Sequence, residues 1–140
     1  MRENALIRAV FTIPFSKLDA PKQFFTGLLN FKVVHEESTL AVVERDSIRI
    51  HLEQNDGVGI DVDGFEMTAP IVRIETNDIK SIWEEMMARD TEGKHIHPRF
   101  KDGPNLRPWG AWEFGVRDEN NMVILFQQWE PNCGNGPIDK

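Results

Sequence analysis

One order of hydrophobic patterns occurs twice in this chain, and that duplication limits its possible folds more than any other feature. Residues 5–17, ALIRAVFTIPFSK, alternate apolar and polar side chains as a half-buried strand does. In LDAPKQFFTGLL, Pro21, Phe24, Phe25, Leu28 and Leu29 then fall at the i, i+3, i+4, i+7, i+8 spacing of one helix face. Asp19 suits the N-cap of that helix, and Pro21 is tolerated there because it lies in the first turn. KVVHEE, LAVVER and SIRIHLEQ follow as three short strands separated by polar breaks.

The second half repeats the series. APIVRIE reads as a strand, and TNDIKSIWEEMMARD places Ile79, Ile82, Trp83, Met86 and Met87 at the same five offsets, with Thr76 or Asn77 as its cap. KHIHPRF, AWEFGVRD and NMVILFQQW supply three further strands. VVERDSIRIHL and FGVRDENNMVILF both put Arg-Asp at the turn between apolar strands, so the hairpins echo each other. The prediction is an α+β fold of two βαβββ modules, one over about residues 5–54 and the other over about 69–129. The Gly- and Asp-rich stretch at 55–68 is the linker between them.

At 140 residues and 40% hydrophobic content the chain suits one domain, which can bury roughly two-thirds of its unfolded surface without staples. Its single cysteine, Cys133, sits in a polar tail and excludes an internal disulfide or a cysteine-rich zinc site. The net charge of −7 disfavours a nucleic-acid partner and mildly favours cationic ligands. No stretch has the makeup of a secretory signal or a membrane span, so a cytoplasmic protein without membrane contacts is expected.

Strand parity sorts the polar candidates. Ile48, Ile50 and Leu52 share one face of SIRIHLEQ, which leaves His51 and Glu53 on the other with Arg49. By the same rule Arg73 and Glu75 oppose Val72 and Ile74, and Glu113 opposes an apolar face of Trp112, Phe114 and Val116 that marks Trp112 as core. Trp109 lies in a Pro-Trp-Gly turn, where alternation does not apply. Trp83 belongs to the apolar stripe of the second helix, and Trp129 ends a strand as either a dimer contact or an exposed ring. His95 and His97 could share one face of a strand, but two histidines without a third donor read better as packed or solvated. There is no Gly-rich phosphate loop, and Ser16, Ser38, Ser47 and Ser81 have no recognisable activating partner.

The runs LLNFKVVHEESTLAVVERDSIRIHL and PWGAWEFGVRDENNMVILF resemble the glyoxalase/bleomycin-resistance/dioxygenase superfamily, also called vicinal oxygen chelate proteins, and its bleomycin-resistance branch most of all. The markers are Phe24-Phe25 ahead of Leu29-Asn30-Phe31, the PWGxxEFxVRD stretch from Pro108 to Asp118, and DENN, Asp118 to Asn121, in place of the family's DPDGN turn. Asn30 and Asn121 replace glycines, and asparagine tolerates left-handed backbone better than most residues. The resemblance covers about residues 6–128 and implies paired βαβββ modules whose mixed sheet curls round a cleft, with the helices on the outer face.

The resemblance also implies where a metal would be held. Enzymes of the superfamily use His, Glu or Gln on the first and last strands of each module, because only N or O donors on converging strands can hold a divalent ion that polarises a substrate oxygen. Those positions fall here on Val10, His51, Ile71 and Leu125, of which His51 alone can ligate. The expectation is therefore a binding protein without a metal or other cofactor. It would sequester a small cationic or aromatic molecule as a homodimer, through Trp109, Glu113, His51, Glu53, Arg73 and His35. Trp109 matches a tryptophan that stacks on the drug in the resistance proteins, with a ring that anchors its turn by packing under the sheet as the other reading; His35 matches a ligand-facing aromatic position, with a surface strand histidine as the other reading of it. The alternative is a metal-dependent lyase or dioxygenase of the glyoxalase class.

Overall fold

Burial along the first strand follows the alternation of its sequence. In the computed structural model, β1 (Phe11–Phe15) buries Ile13 and Phe15 and turns Thr12 and Pro14 to the opposite face. The structure describes residues 5–54, 71–119 and 122–131. The predicted linker, Asn121 and Cys133 fall outside these residues. Residues 5–10 carry no regular structure, so β1 is shorter than the sequence pattern suggests.

After β1 the chain enters α1 (Asp19–Gln23), which continues as a wider π-helical turn over Phe24–Leu28. Leu18, not Asp19, occupies the N-cap position; Asp19 stands in the first turn, where a carboxylate meets the positive end of the helix. All five residues of the predicted stripe, Pro21, Phe24, Phe25, Leu28 and Leu29, are buried. Phe25 packs edge-on against Phe24 and Phe31 at centroid distances of 5.6 and 5.4 Å, a preferred aromatic geometry. Asn30 ends the helix with φ 60°, the left-handed conformation its side chain tolerates.

Three strands complete the first unit: β2 (Lys32–Glu37), β3 (Leu40–Arg45) and β4 (Ile48–Gln54). The sheet order is β1-β4-β3-β2, with β1 parallel to β4 and the other pairs antiparallel. Ile13, Phe25, Leu29, Val43, Ile50 and Leu52 are its most completely buried side chains.

The second unit has the same topology. β5 (Ile71–Glu75), α2 (Ile79–Arg89), β6 (Asn105–Leu106), β7 (Ala111–Arg117) and β8 (Val123–Trp129) give the sheet order β5-β8-β7-β6, with β5 parallel to β8. The predicted duplication is thus present as two four-stranded mixed sheets, each with its helix. Phe114 and Phe126 stack at 5.1 Å in a core that also buries Val116, Ile124, Met86 and Met122.

Three details of the second unit depart from the sequence reading. The cap of α2 is Asp78, whose carboxylate accepts from Ser81 N, rather than Thr76 or Asn77. Of the predicted stripe only Ile79 and Met86 are buried; Ile82 and Trp83 are half-buried and Met87 is exposed. KHIHPRF is not a strand: Ile96 makes a single bridge to Val116 and Pro98–Phe100 forms a short 3-10 turn. The cause is Asp90, whose buried carboxylate accepts the backbone N–H groups of Lys94, His95 and Ile96 at 2.9–3.1 Å. Those donors are lost to any ladder, and Pro98 has none to offer.

Both Arg-Asp turns form. Asp46 takes φ 52° between β3 and β4, and Asp118 closes the second hairpin by accepting from Met122 N at 2.9 Å while donating its own N–H to Met122 O at 3.0 Å.

Candidate functional site

Each sheet packs one face against its helix; the opposite, open face of the second sheet is exposed along β5 but buried at Glu113, Gly115 and Gln127. In the second unit the open face carries Ile71, Arg73 and Glu75 from β5, Leu125, Gln127 and Trp129 from β8, and Glu113, Gly115 and Arg117 from β7. The register sets these residues in rows: Glu75, Gln127, Glu113 and Asn105 lie side by side, and the next row holds Arg73, Leu125 and Gly115.

Glu113 is the centre of the first row. Only 5% of it is exposed, and its Oε2 accepts from Gln127 Nε2 at 2.7 Å and from Trp109 Nε1 at 3.1 Å. A buried carboxylate needs such donors, since an unpaired one would be costly. The same bonds fix the Trp109 ring, which the local turn delivers to the site. Arg107 N–H donates to Ala111 O and Gly110 N–H to Arg107 O, and Gly110 supplies the φ of 91° that the turn requires. The Arg107 guanidinium lies 5.1 Å from the Trp109 ring centroid, a cation on the indole face. Trp109 nevertheless keeps 37% of its surface exposed. At the end of the row Trp129 Nε1 donates to Glu75 Oε2 at 2.8 Å.

The first unit's open face holds the remaining candidates. His51 lies in register between Thr12 and Val42, and His35 lies beyond Val42 in the same row. A register shift between Val33 and His35 in β2 restores that alignment. His35 Nε2 pairs with Glu37 Oε2 at 2.7 Å, and Glu53 is exposed between Pro14 and Leu40. His51, Glu53 and His35 therefore share one face of the first sheet, as Trp109, Glu113 and Arg73 lie with the open face of the second.

Two other aromatic and histidine assignments resolve differently. Trp112 does face away from Glu113, but it is half-buried in register between Leu106 and Gln128 and donates its Nε1 to Glu130 Oε1. His95 Nδ1 bonds Arg117 O at 2.8 Å, while His97 Nδ1 accepts from Arg99 N at 3.1 Å, so each serves the loop backbone separately. Gln127 and Arg107, which hold Glu113 and Trp109, were not singled out from sequence. The parity of β8 relative to β7 across the Asp118 hairpin is the signal that marks Gln127.

No family model matches the sequence, and no curated protein does. Solved structures match closely in shape. A glyoxalase/bleomycin resistance protein/dioxygenase from Nocardioides has a TM-score of 0.68 at 16% identity, over 97% of this chain and 93% of that one. The bleomycin-binding protein of Streptomyces verticillus, solved with copper(II)-bleomycin, gives 0.67 at 23% identity, over 93% and 100%. Lactoylglutathione lyase from Agrobacterium tumefaciens gives 0.64 at 12% identity, over 90% and 96%. The chain has the glyoxalase/bleomycin-resistance/dioxygenase fold.

On this fold the second unit's two family ligand positions are hydrocarbon. Ile71 and Leu125 both point to the open face, and Leu125 covers Gly115 so closely that a Cβ there would come within 2.9 Å of Leu125 Cδ2. Arg73 stands directly beside Leu125 in the register. In the first unit β1 offers Thr12 and Pro14 beside His51 and Glu53. Among the described residues, no group of three or more His, Cys, Asp or Glu side chains could hold a metal ion.

Proposed function

We propose that this protein binds and sequesters a small molecule that carries an aromatic ring and a positive charge, without a metal, and that it does so as a homodimer. The observation that carries the reading is the Trp109 ring: exposed by about a third of its surface, yet fixed by Glu113 and by the turn that delivers it. A pre-set indole offers a stacking surface at little entropic cost. Glu113 acts in this reading as a positioning residue, because its carboxylate is already occupied by Trp109 and Gln127. The ligand's cationic portion is favoured by the chain's net charge of −7 instead. Arg73 supplies a polar contact on the second unit's open face, and His51, Glu53 and His35 are the polar candidates on the first unit's own open face. Likeness to a bleomycin-binding protein supports the ligand class, and the hydrocarbon at Ile71 and Leu125 supports metal-free binding. Leu6 and Ile7, 96% and 86% exposed, are apolar surface that a second copy would cover.

The test is metal retention. The protein is incubated with Ni²⁺, Mn²⁺, Zn²⁺ and Fe²⁺ in turn, dialysed, and assayed for bound metal. Residual metal at background is expected for all four. Stoichiometric retention that His51→Ala abolishes would overturn the reading in favour of a metal-dependent lyase or dioxygenase.

A further inference from the structure

A cavity of about 420 Å³ lies where the first turn of α2 meets Trp112 of β7 and Gln128 and Trp129 at the end of β8, and Trp109 is not among the residues that line it. Trp112 and Glu113 are consecutive in β7 and so point to opposite faces; Glu113 holds Trp109, while Trp112 lines this cavity. The first turn of α2 contributes Asp78, Ile79, Lys80 and Trp83, the loop after the 3-10 turn contributes Asp102, and the chain leaving β8 contributes Glu130. The volume falls in the range of small-molecule sites, roughly 300–1,000 Å³.

The chemistry of the lining narrows the ligand. Three tryptophans line the cavity: Trp83 Nε1 donates to Phe100 O at 2.8 Å, Trp112 Nε1 to Glu130, and Trp129 Nε1 to Glu75 at 2.8 Å. With its N–H engaged, each indole has only ring surface left to offer, and ring surface favours flat apolar groups and cations. Three carboxylates, Asp78, Asp102 and Glu130, face one ammonium, Lys80, so the lining carries an excess of negative charge. The wall is also rigid: Gln128 Oε1 accepts from Ile79 N at 2.8 Å and its Nε2 donates to Asn77 O at 3.1 Å, tying the start of α2 to β8.

We propose that this cavity is a second binding site, which takes a small aromatic ammonium compound between Trp83 and Trp112, its charge matched by Glu130 and Asp102. The site is independent of the one at Trp109.

Indole ¹H–¹⁵N signals test it, because the chain has four tryptophans and single Trp→Phe variants assign them. Tryptamine is the probe, and tryptophol, its uncharged near-isostere, is the control. Tryptamine is expected to shift the Trp83 and Trp112 signals saturably, and tryptophol to bind at least about tenfold more weakly. Glu130→Gln keeps a side-chain oxygen for Trp112 while removing the charge, and it should weaken tryptamine by about tenfold, the scale of one lost charge interaction in a partly shielded site. No shift at Trp83 and Trp112 up to millimolar tryptamine overturns the proposal, and so does equal affinity for tryptophol or an unchanged affinity in Glu130→Gln. A shift confined to Trp109 also overturns it, and leaves the function proposed for Trp109 standing.

Discussion

Trp109 and Glu113 are joined by a hydrogen bond of 3.1 Å in which the indole N–H donates to a carboxylate that is itself buried and shared with Gln127. A surface tryptophan is thereby fastened to the interior of the sheet. Trp109 in the turn and Glu113 in the strand are four positions apart, and the bond between them holds the ring as a fixed platform.

Removing the acceptor should therefore cost both stability and order. Glu113→Ala leaves the buried Gln127 amide and the Trp109 N–H unpaired, and a loss of about 1–3 kcal/mol is expected in urea unfolding. Glu113→Gln retains one oxygen and should lose less. Acrylamide should quench Trp109 emission more strongly in Glu113→Ala than in the parent, read in a background where the other tryptophans are phenylalanine.

Leu125 and Gly115 are a packed pair, and their substitutions should not be additive. Gly115→Ala places a Cβ 2.9 Å from Leu125 Cδ2 and turns that half-buried side chain aside, a loss of about 1 kcal/mol. In Leu125→Ala the same Cβ meets only ordinary contacts, Ile124 O and Val123 Cγ1 at 3.7 Å, and should cost measurably less. A double-mutant cycle by thermal or urea unfolding reads the coupling, and a coupling of zero would show the contact to be inconsequential.

The loop after α2 depends on one carboxylate. Asp90 is buried and accepts three backbone N–H groups, so Asp90→Ala strands all three donors. A loss of at least about 2–3 kcal/mol is expected, with faster hydrogen exchange at Lys94, His95 and Ile96.

What sequence made legible was local, and what it concealed was contact between segments. The helix stripe at Pro21, Phe24, Phe25, Leu28 and Leu29 could be read because five apolar residues at helical spacing have no competing use, and strand parity placed His51 and Glu113 correctly for the same reason. Asp90 defeated the strand expected at KHIHPRF because a side chain captured backbone donors that a pattern of residue types does not reveal. Trp112 shares the parity of Phe114 and Val116, yet it stays half-buried near the start of β7 and bonds Glu130 eighteen residues on, so alternation gave its face but not its depth. The carboxylate of Glu113 has the face that parity assigns, while its partners Trp109 and Gln127 follow from a turn geometry and a hairpin register that spacing does not fix.

Surface charge should tune stability only weakly with pH. The hydrogen bond and charge of Lys94 hold the Glu92 carboxyl below its ordinary 4.5, and Glu92 in turn raises Lys94 above 10.5. A lowered carboxylate contributes stability above its unfolded value and loses it as pH falls through the folded value; a raised ammonium loses its share as pH rises through the folded value. Both groups are at the surface, so the contribution is small, constant around neutrality and reduced by salt. Lys94→Met should remove a shallow acid-side slope from the urea midpoint measured against pH and leave the neutral midpoint nearly unchanged.

The central claim is that Trp109 binds an aromatic, cationic ligand with no metal present, and bleomycin is the probe closest to the structural neighbours. The measurement is a titration of EDTA-dialysed protein with metal-free bleomycin, following the assigned indole ¹H–¹⁵N signal of Trp109. The expected result is a saturable shift at micromolar ligand, weakened about tenfold or more in Trp109→Ala, as the loss of a stacking surface requires. A Trp109 signal that stays in place, or one that moves only after a divalent metal is added, would contradict it.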